Sequence, residues 1–261
     1  MFYIDPDQPR AGKTSSEANS IFVFDNNNFA ISSNVQIARF NSNNKYDVIK
    51  MGFQWKDRFT INAMWGTSSK NFYVVGNNGN IAHYNGSKWT KIESGTTEDI
   101  QDIWGNKDKY GQTTILSVSS TVFYGGTENI LSISNNTATR INTKGLSWSV
   151  RGLWFENKKY YIVGDGMYYK KSLHDTFGQS FQQRVTTNYV DAIRGNALND
   201  IIAVGDFGTV LHYNGSTWYN FTQQINIPSC DLYSVSIKGN IAVGVGTPGG
   251  EKAVAVVGIR K

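Results

Sequence analysis

Two stretches of the chain carry the same order of apolar, polar and turn positions. Residues 61–92 read INAMWGTSSKNFYVVGNNGNIAHYNGSKWTKI, and residues 190–221 read VDAIRGNALNDIIAVGDFGTVLHYNGSTWYNF. Gly66 and Gly195, Gly76 and Gly205, His83 and His212, and Trp89 and Trp218 recur at one offset of about 129 residues, which marks an internal repeat in a single register. Each copy contains four short runs rich in β-branched and aromatic residues. In the first copy these are 61–65, 72–75, 81–84 and 89–92, and the pattern predicts four strands. Asn85-Gly86 and Asn214-Gly215 stand between the third and fourth runs, so each is expected to reverse the chain as a tight hairpin with positive φ at both central positions.

Four antiparallel strands in about 30 residues form a sheet too small to bury both of its faces. Repeated copies solve this by covering one another, either stacked or arranged radially as the blades of a propeller. An offset of about 129 corresponds to three blades of about 43 residues, and the intervening copies are visible. Ile100-Gln101-Asp102-Ile103-Trp104-Gly105 and Val150-Arg151-Gly152-Leu153-Trp154 repeat the first strand, and Tyr160-Tyr161-Ile162-Val163-Gly164 repeats the second. Weaker copies occupy residues 19–33 and 232–244. The expectation is an all-β, six-bladed β-propeller of four-stranded antiparallel blades, one domain over residues 1–261, with blades at 19–50, 61–92, 100–141, 149–185, 190–222 and 232–259. The last blade is one strand short. Residues 2–4, Phe-Tyr-Ile, are expected to supply that strand and close the ring, which also removes an exposed edge.

Composition narrows the picture. A length of 261 residues fits one all-β domain, and 13% aromatic against 17% charged residues describes a core-forming chain with few ion pairs. The net charge of +5 is spread out, with basic doublets at Lys158-Lys159, Lys170-Lys171 and Arg260-Lys261, so nucleic acid is not an expected partner. The single cysteine, Cys230, excludes an internal disulfide and a cysteine-based zinc site, and is expected to be a buried small residue. No apolar run reaches about 18 residues, so no transmembrane helix is expected, and Met1-Phe2-Tyr3-Ile4-Asp5-Pro6 does not read as a secretion signal. Low charge, one cysteine and abundant Asn, Ser and Gly suggest a bacterial periplasm or cell surface, and a monomer is expected.

The chemistry-bearing residue types form no recognisable catalytic set. His83 and His212 share one blade position and are expected to pack turns or bond backbone, and His174 is solitary; no metal is expected. Gly76-Asn77-Asn78-Gly79 and Gly205-Asp206-Phe207-Gly208 resemble phosphate loops, but each joins two strands and neither opens a helix. Asp102, Asp165, Asp191 and Asp206 lie near strand ends, where a converging pair could act as general acid and base, yet no spacing demands it. The expectation is a chain that is not an enzyme and carries no cofactor.

One register position carries more information. The second residue before the first-strand Trp, or its counterpart, is mostly small (Ser20, Ala63, Asp102, Gly152, Ala192, Ser234), as crowding around a propeller axis requires. The third residue before it is polar in every blade: Asn19, Asn62, Gln101, Arg151, Asp191 and Tyr233. These six are the candidate ligand-binding ring at the mouth of the axial channel. The same pattern also fits a hydrated channel whose polar groups bond one another. Trp65, Trp104 and Trp154 are expected in the core between blades.

The order Trp-Gly, then aliphatic-Val-Gly, then His-Tyr-Asn-Gly-Ser-x-Trp resembles the bacterial propeller repeats grouped with neuraminidase-type Asp-box and photosystem-II-assembly-factor-like proteins. The resemblance implies the propeller fold. The Asp-box turn is Asp-x-Gly-x-Thr-Trp, whereas here it is Asn85-Gly86-Ser87-Lys88-Trp89 and Asn214-Gly215-Ser216-Thr217-Trp218, and the neuraminidase arginine triad has no counterpart that can be placed. The reading is therefore a binding or scaffold propeller that engages a protein or peptide through its axial or loop face. A glycan-binding propeller is the alternative, followed by a glycoside hydrolase.

Overall fold

The computed structural model describes residues 20–25, 28–33, 36–40, 46–51, 59–121, 128–146, 148–179, 185–248 and 253–260. It contains six small antiparallel sheets arranged as a six-bladed β-propeller. Blade 1 is β1 (Ser20–Val23), β2 (Phe29–Ser33), β3 (Gln36–Phe40) and β4 (Tyr46–Lys50). Blade 2 is β5 (Ile61–Ser68), β6 (Asn71–Gly76), β7 (Ile81–Tyr84) and β8 (Trp89–Ile92). Blade 3 is β9 (Ile100–Lys107), β10 (Thr113–Ser119), β11 (Asn129–Ser134) and β12 (Thr137–Ile141). Blade 4 is β13 (Val150–Glu156), β14 (Lys159–Gly164), β15 (Gly166–Lys170) and the two-residue β16 (Gly178–Gln179). Blade 5 is β17 (Val190–Ala197), β18 (Asp200–Gly205), β19 (Thr209–Tyr213) and β20 (Trp218–Asn220), followed by the single-turn helix α1 (Thr222–Ile225). Blade 6 has three strands among the described residues: β21 (Asp231–Lys238), β22 (Ile241–Thr247) and β23 (Val254–Ile259). Residues 2–4, expected to close it, and Asn19 of the candidate ring lie outside the described residues.

Each sheet is a meander in sequence order, because short turns between alternating strands leave no room for a crossover. The turns differ from expectation in one respect. Gly86 and Gly215 have φ of +95° and +97°, but Asn85 and Asn214 are not in the left-handed region. Instead the Asn85 carboxamide oxygen accepts from the backbone N–H groups of Ser87 and Lys88, and Asn214 does the same for Ser216 and Thr217. The asparagine folds the turn with its side chain, so only the glycine needs positive φ.

Five apolar layers lie between consecutive blades, from the 1–2 junction to the 5–6 junction. The Trp-Gly dipeptide explains how these layers become thin enough. A Cβ on Gly105 would stand 2.4 Å from the Trp65 ring, and one on Gly195 would stand 2.6 Å from the Trp154 ring, so each indole lies flat on the glycine of the next blade. Trp65 and Trp154 are buried, as expected of core residues, and Cys230 is buried as a free thiol. The irregular stretch after β15 is tied down by Lys170. Its buried ammonium donates to the carbonyls of Asn142 and Leu173 and lies 3.9 Å from the Phe177 ring centroid.

Candidate functional site at the axial face

The first strand of each blade starts at the same end of the propeller where its second strand stops: Val150 pairs with Gly164, and Val190 pairs with Gly205. Residues just before β13 and just after β18 therefore emerge on one face. The candidate ring lies at that end, and the structure joins part of it. The Arg151 guanidinium donates through Nη1 to the Gln101 side-chain oxygen at 2.9 Å and through Nε to Asp191 Oδ1 at 3.2 Å, so blades 3, 4 and 5 are linked in a row. Asn62 turns to the backbone and donates to the Ile100 carbonyl at 3.0 Å. Tyr233 stands apart, 50% exposed, with its hydroxyl 3.4 Å from Thr247 Oγ1. The described ring residues are thus largely bonded to protein groups.

Asp102 has a different role from a strand-end acid. Its carboxylate accepts from the Ile103 N–H at 2.9 Å, from the Leu153 N–H of blade 4 at 3.0 Å, and from both terminal nitrogens of Arg194 of blade 5 at 2.8 Å. Arg194 occupies the register at which Trp65, Trp104 and Trp154 stand in other blades, and its guanidinium lies 5.0 Å from the Trp104 ring centroid. A break in the repeat, arginine for tryptophan, was the available signal for this clamp. A carboxylate with every acceptor site occupied is a structural anchor and not a free base.

Asp191 and Asp206 form the other carboxyl cluster. The Asp191 side chain is 5% exposed, and its Oδ2 is buried with no hydrogen-bond donor among the described residues. It faces the Asp206 carboxyl within hydrogen-bond reach. Burial raises the Asp191 carboxyl to about 6, with Arg151 pulling it down and Asp206 pushing it up. Burial and the nearby Asp231 charge raise Asp206 as well. Carboxyls this close lack the gap of roughly 5 to 9.5 Å that the two acids of a glycosidase leave for substrate or water.

Three exposed aromatic residues emerge on the same face as this cluster. Trp148 is 62% exposed and Phe207 is 59% exposed, and both hold left-handed backbone, with φ of +67° and +56°. The Tyr233 ring is the third. A continuous chain of bonds connects their bases: Ser149 Oγ with Tyr189 Oη at 2.7 Å, the Asp206 N–H to the Tyr189 carbonyl at 3.0 Å, and the Phe207 N–H to Asp231 Oδ1 at 3.1 Å. The sequence pattern missed Trp148 and Phe207, because neither sits on a strand.

The remaining candidates are structural. His83 is stacked on Tyr73 and bonded to Asn71 and Asn136, each at 2.7 Å, and burial lowers its pKa. His212 bonds Asp200 at 3.0 Å, and Arg260 also pairs with that carboxylate. His174 is exposed. Among the described residues no group of three His, Cys, Asp or Glu is arranged for a metal. Two cavities flank the axis. One is a polar cleft of about 400 Å³ between blades 2 and 3, lined by Asn78 after β6, Thr96 before β9, Lys91 and Arg140, and it opens at the same end as the candidate ring; the other is an apolar groove of about 380 Å³ at the blade 5–6 rim, including Ile202, Val210, Val235 and Val256.

No family model matches the chain, and no curated protein sequence matches it. Solved structures do. YCF48 bound to D1 peptide aligns with a TM-score of 0.68 at 12% identity over 94% of this chain and 78% of that one. The WD40 repeats of RRP9 align with a TM-score of 0.69 at 9% identity over 90% and 75%. The extracellular domain of a hybrid two-component system from B. thetaiotaomicron aligns with a TM-score of 0.60 at 15% identity, covering 88% of this chain and 31% of that one. At these identities the likeness is one of fold.

Proposed function

We propose that the protein is a non-catalytic binding propeller that holds a protein or peptide segment on its axial face. The observation that carries this reading is the pair of exposed rings, Trp148 and Phe207, held in left-handed backbone beside a bonded polar network. A left-handed conformation costs an L-residue roughly 1–2 kcal/mol, and an exposed ring recovers little of that by packing in the free protein. Exposed aromatic groups beside a bonded polar network suit a broad macromolecular contact better than a small molecule. Among the solved structures of similar fold, one is bound to a peptide, which supports the same class of partner. No described helix is long and apolar enough to cross a membrane, and the composition supports a periplasmic or surface location.

The test compares partner capture by the wild type with capture by a Trp148→Asn/Phe207→Asn double variant, in an extract of the source cells. The variant is expected to fold and to lose the partner. Retention by this variant, with loss on altering the outer-rim residue Tyr219 instead, would move the working surface to the blade rim.

A further inference from the structure

The repeat supplies its own control for the carboxyl pair. At the register of Asp191 and Asp206, blade 2 carries Asn62 and Asn77. There the amides are satisfied by backbone: Asn62 donates to the Ile100 carbonyl, and Asn77 accepts from the Thr60 N–H at 2.8 Å. Neutral amides thus suffice to build this corner of a blade. Blade 5 has two carboxyls instead, one of them 95% buried with an oxygen that no donor among the described residues reaches. The titratable groups that act on the pair are Arg151 from blade 4, Asp231 from blade 6 and the neutral Tyr189 hydroxyl. Arg151 is shared with Gln101 and contacts only Oδ1 of Asp191, so the negative charge is incompletely offset.

Resting on the axial-face reading above, we propose that Asp191 and Asp206 seat one cationic nitrogen of the bound segment, a lysine ammonium, an arginine guanidinium or a chain N-terminus. Its N–H groups donate to the half-buried Asp206 carboxyl, the buried Asp191 carboxyl behind it adds negative charge, and Phe207 and Trp148 flank the stem or the cation face. An anionic group would be repelled by the two carboxyls, and a neutral donor could bond Asp206 without offsetting their charge.

Four capped or free probes test this by calorimetric titration: acetyl-Gly-Lys-Gly-amide, acetyl-Gly-Arg-Gly-amide, Gly-Gly-Gly-amide with a free amine, and acetyl-Gly-Gln-Gly-amide. At least one cationic probe should bind about tenfold more tightly than the glutamine probe, and which one does so identifies the source of the nitrogen. Asp206→Asn, which copies the neutral chemistry of blade 2, should keep the fold and reduce that preference to about unity. Binding of the preferred probe should also weaken severalfold between pH 7.5 and pH 5, because Asp191 takes up a proton near 6. Equal binding of the glutamine probe, an unchanged preference in Asp206→Asn, or no binding of any probe up to about 10 mM would overturn the cation seat. Partner capture that is lost in the Trp148/Phe207 variant would still uphold the axial face in that event.

Discussion

At the scale of single residues, Phe207 shows most directly a side chain that its turn does not call for. Its counterpart in blade 2 is Asn78, with φ of +55° against +56° for Phe207. The two backbones are anchored alike. The Asn78 N–H donates to Asp99 at 2.9 Å, and the Phe207 N–H donates to Asp231 at 3.1 Å. Asparagine tolerates this region far better than phenylalanine, so Phe207→Asn should raise stability by about 0.5–1 kcal/mol. For a domain of this size that is an increase of roughly 1–4 °C in Tm by scanning calorimetry. A drop in Tm would show that the ring packs usefully in the free protein. A residue whose removal stabilises the fold is retained for another reason, which is the logic behind the binding face.

At the scale of elements, the Asp102–Arg194 clamp does what sheet pairing cannot. Blades are hydrogen-bonded within themselves, and their mutual packing is otherwise largely apolar, so it fixes spacing more than rotation. One carboxylate that accepts from blade 3 backbone, blade 4 backbone and the blade 5 guanidinium sets the angle between three blades. Arg194→Met removes the cation and leaves a buried carboxylate, which should cost about 3 kcal/mol and lower Tm by roughly 6–12 °C. Adding Asp102→Asn to that variant should return part of the loss, because the orphaned charge is gone. Thermal unfolding of the two single variants and the double variant measures this, and simple additivity would show that the pair does not act as a unit.

At the scale of the whole molecule, burial is uneven around the ring. The five apolar layers run from blade 1 to blade 6, and among the described residues no sixth layer joins blade 6 back to blade 1. The exposed aliphatic side chains concentrate on those two blades: Ile21, Val23 and Val48 on blade 1, and Ile241, Val245, Val257 and Ile259 on blade 6. Local opening should therefore begin there, since fewer buried contacts hold these sheets. Amide exchange followed by mass spectrometry should find β1–β4 and β21–β23 exchanging well before β9, β13 and β17. Uniform protection around the ring would show that the seam is sealed.

The strands, their order, the number of sheets and the burial of Trp65 and Trp154 between blades were legible in the chain because they rest on local signals. Runs of β-branched and aromatic residues mark the strands, Asn-Gly turns mark the last hairpins of blades 2 and 5, and the single-register repeat counts the copies. The candidate ring was legible as a register position, but which of its members meet was not. Gln101, Arg151 and Asp191 join only because blades 3, 4 and 5 turn about one axis, and Asp102 meets a guanidinium 92 residues away. Asp206, Trp148 and Phe207 reach the same face from turns, where no alternation predicts direction. Periodicity is a property of neighbours along the chain and determined the blades. Convergence is a property of how the blades are set around the axis, and only the tertiary structure brought one buried acid, a second acid and three exposed rings to the same face.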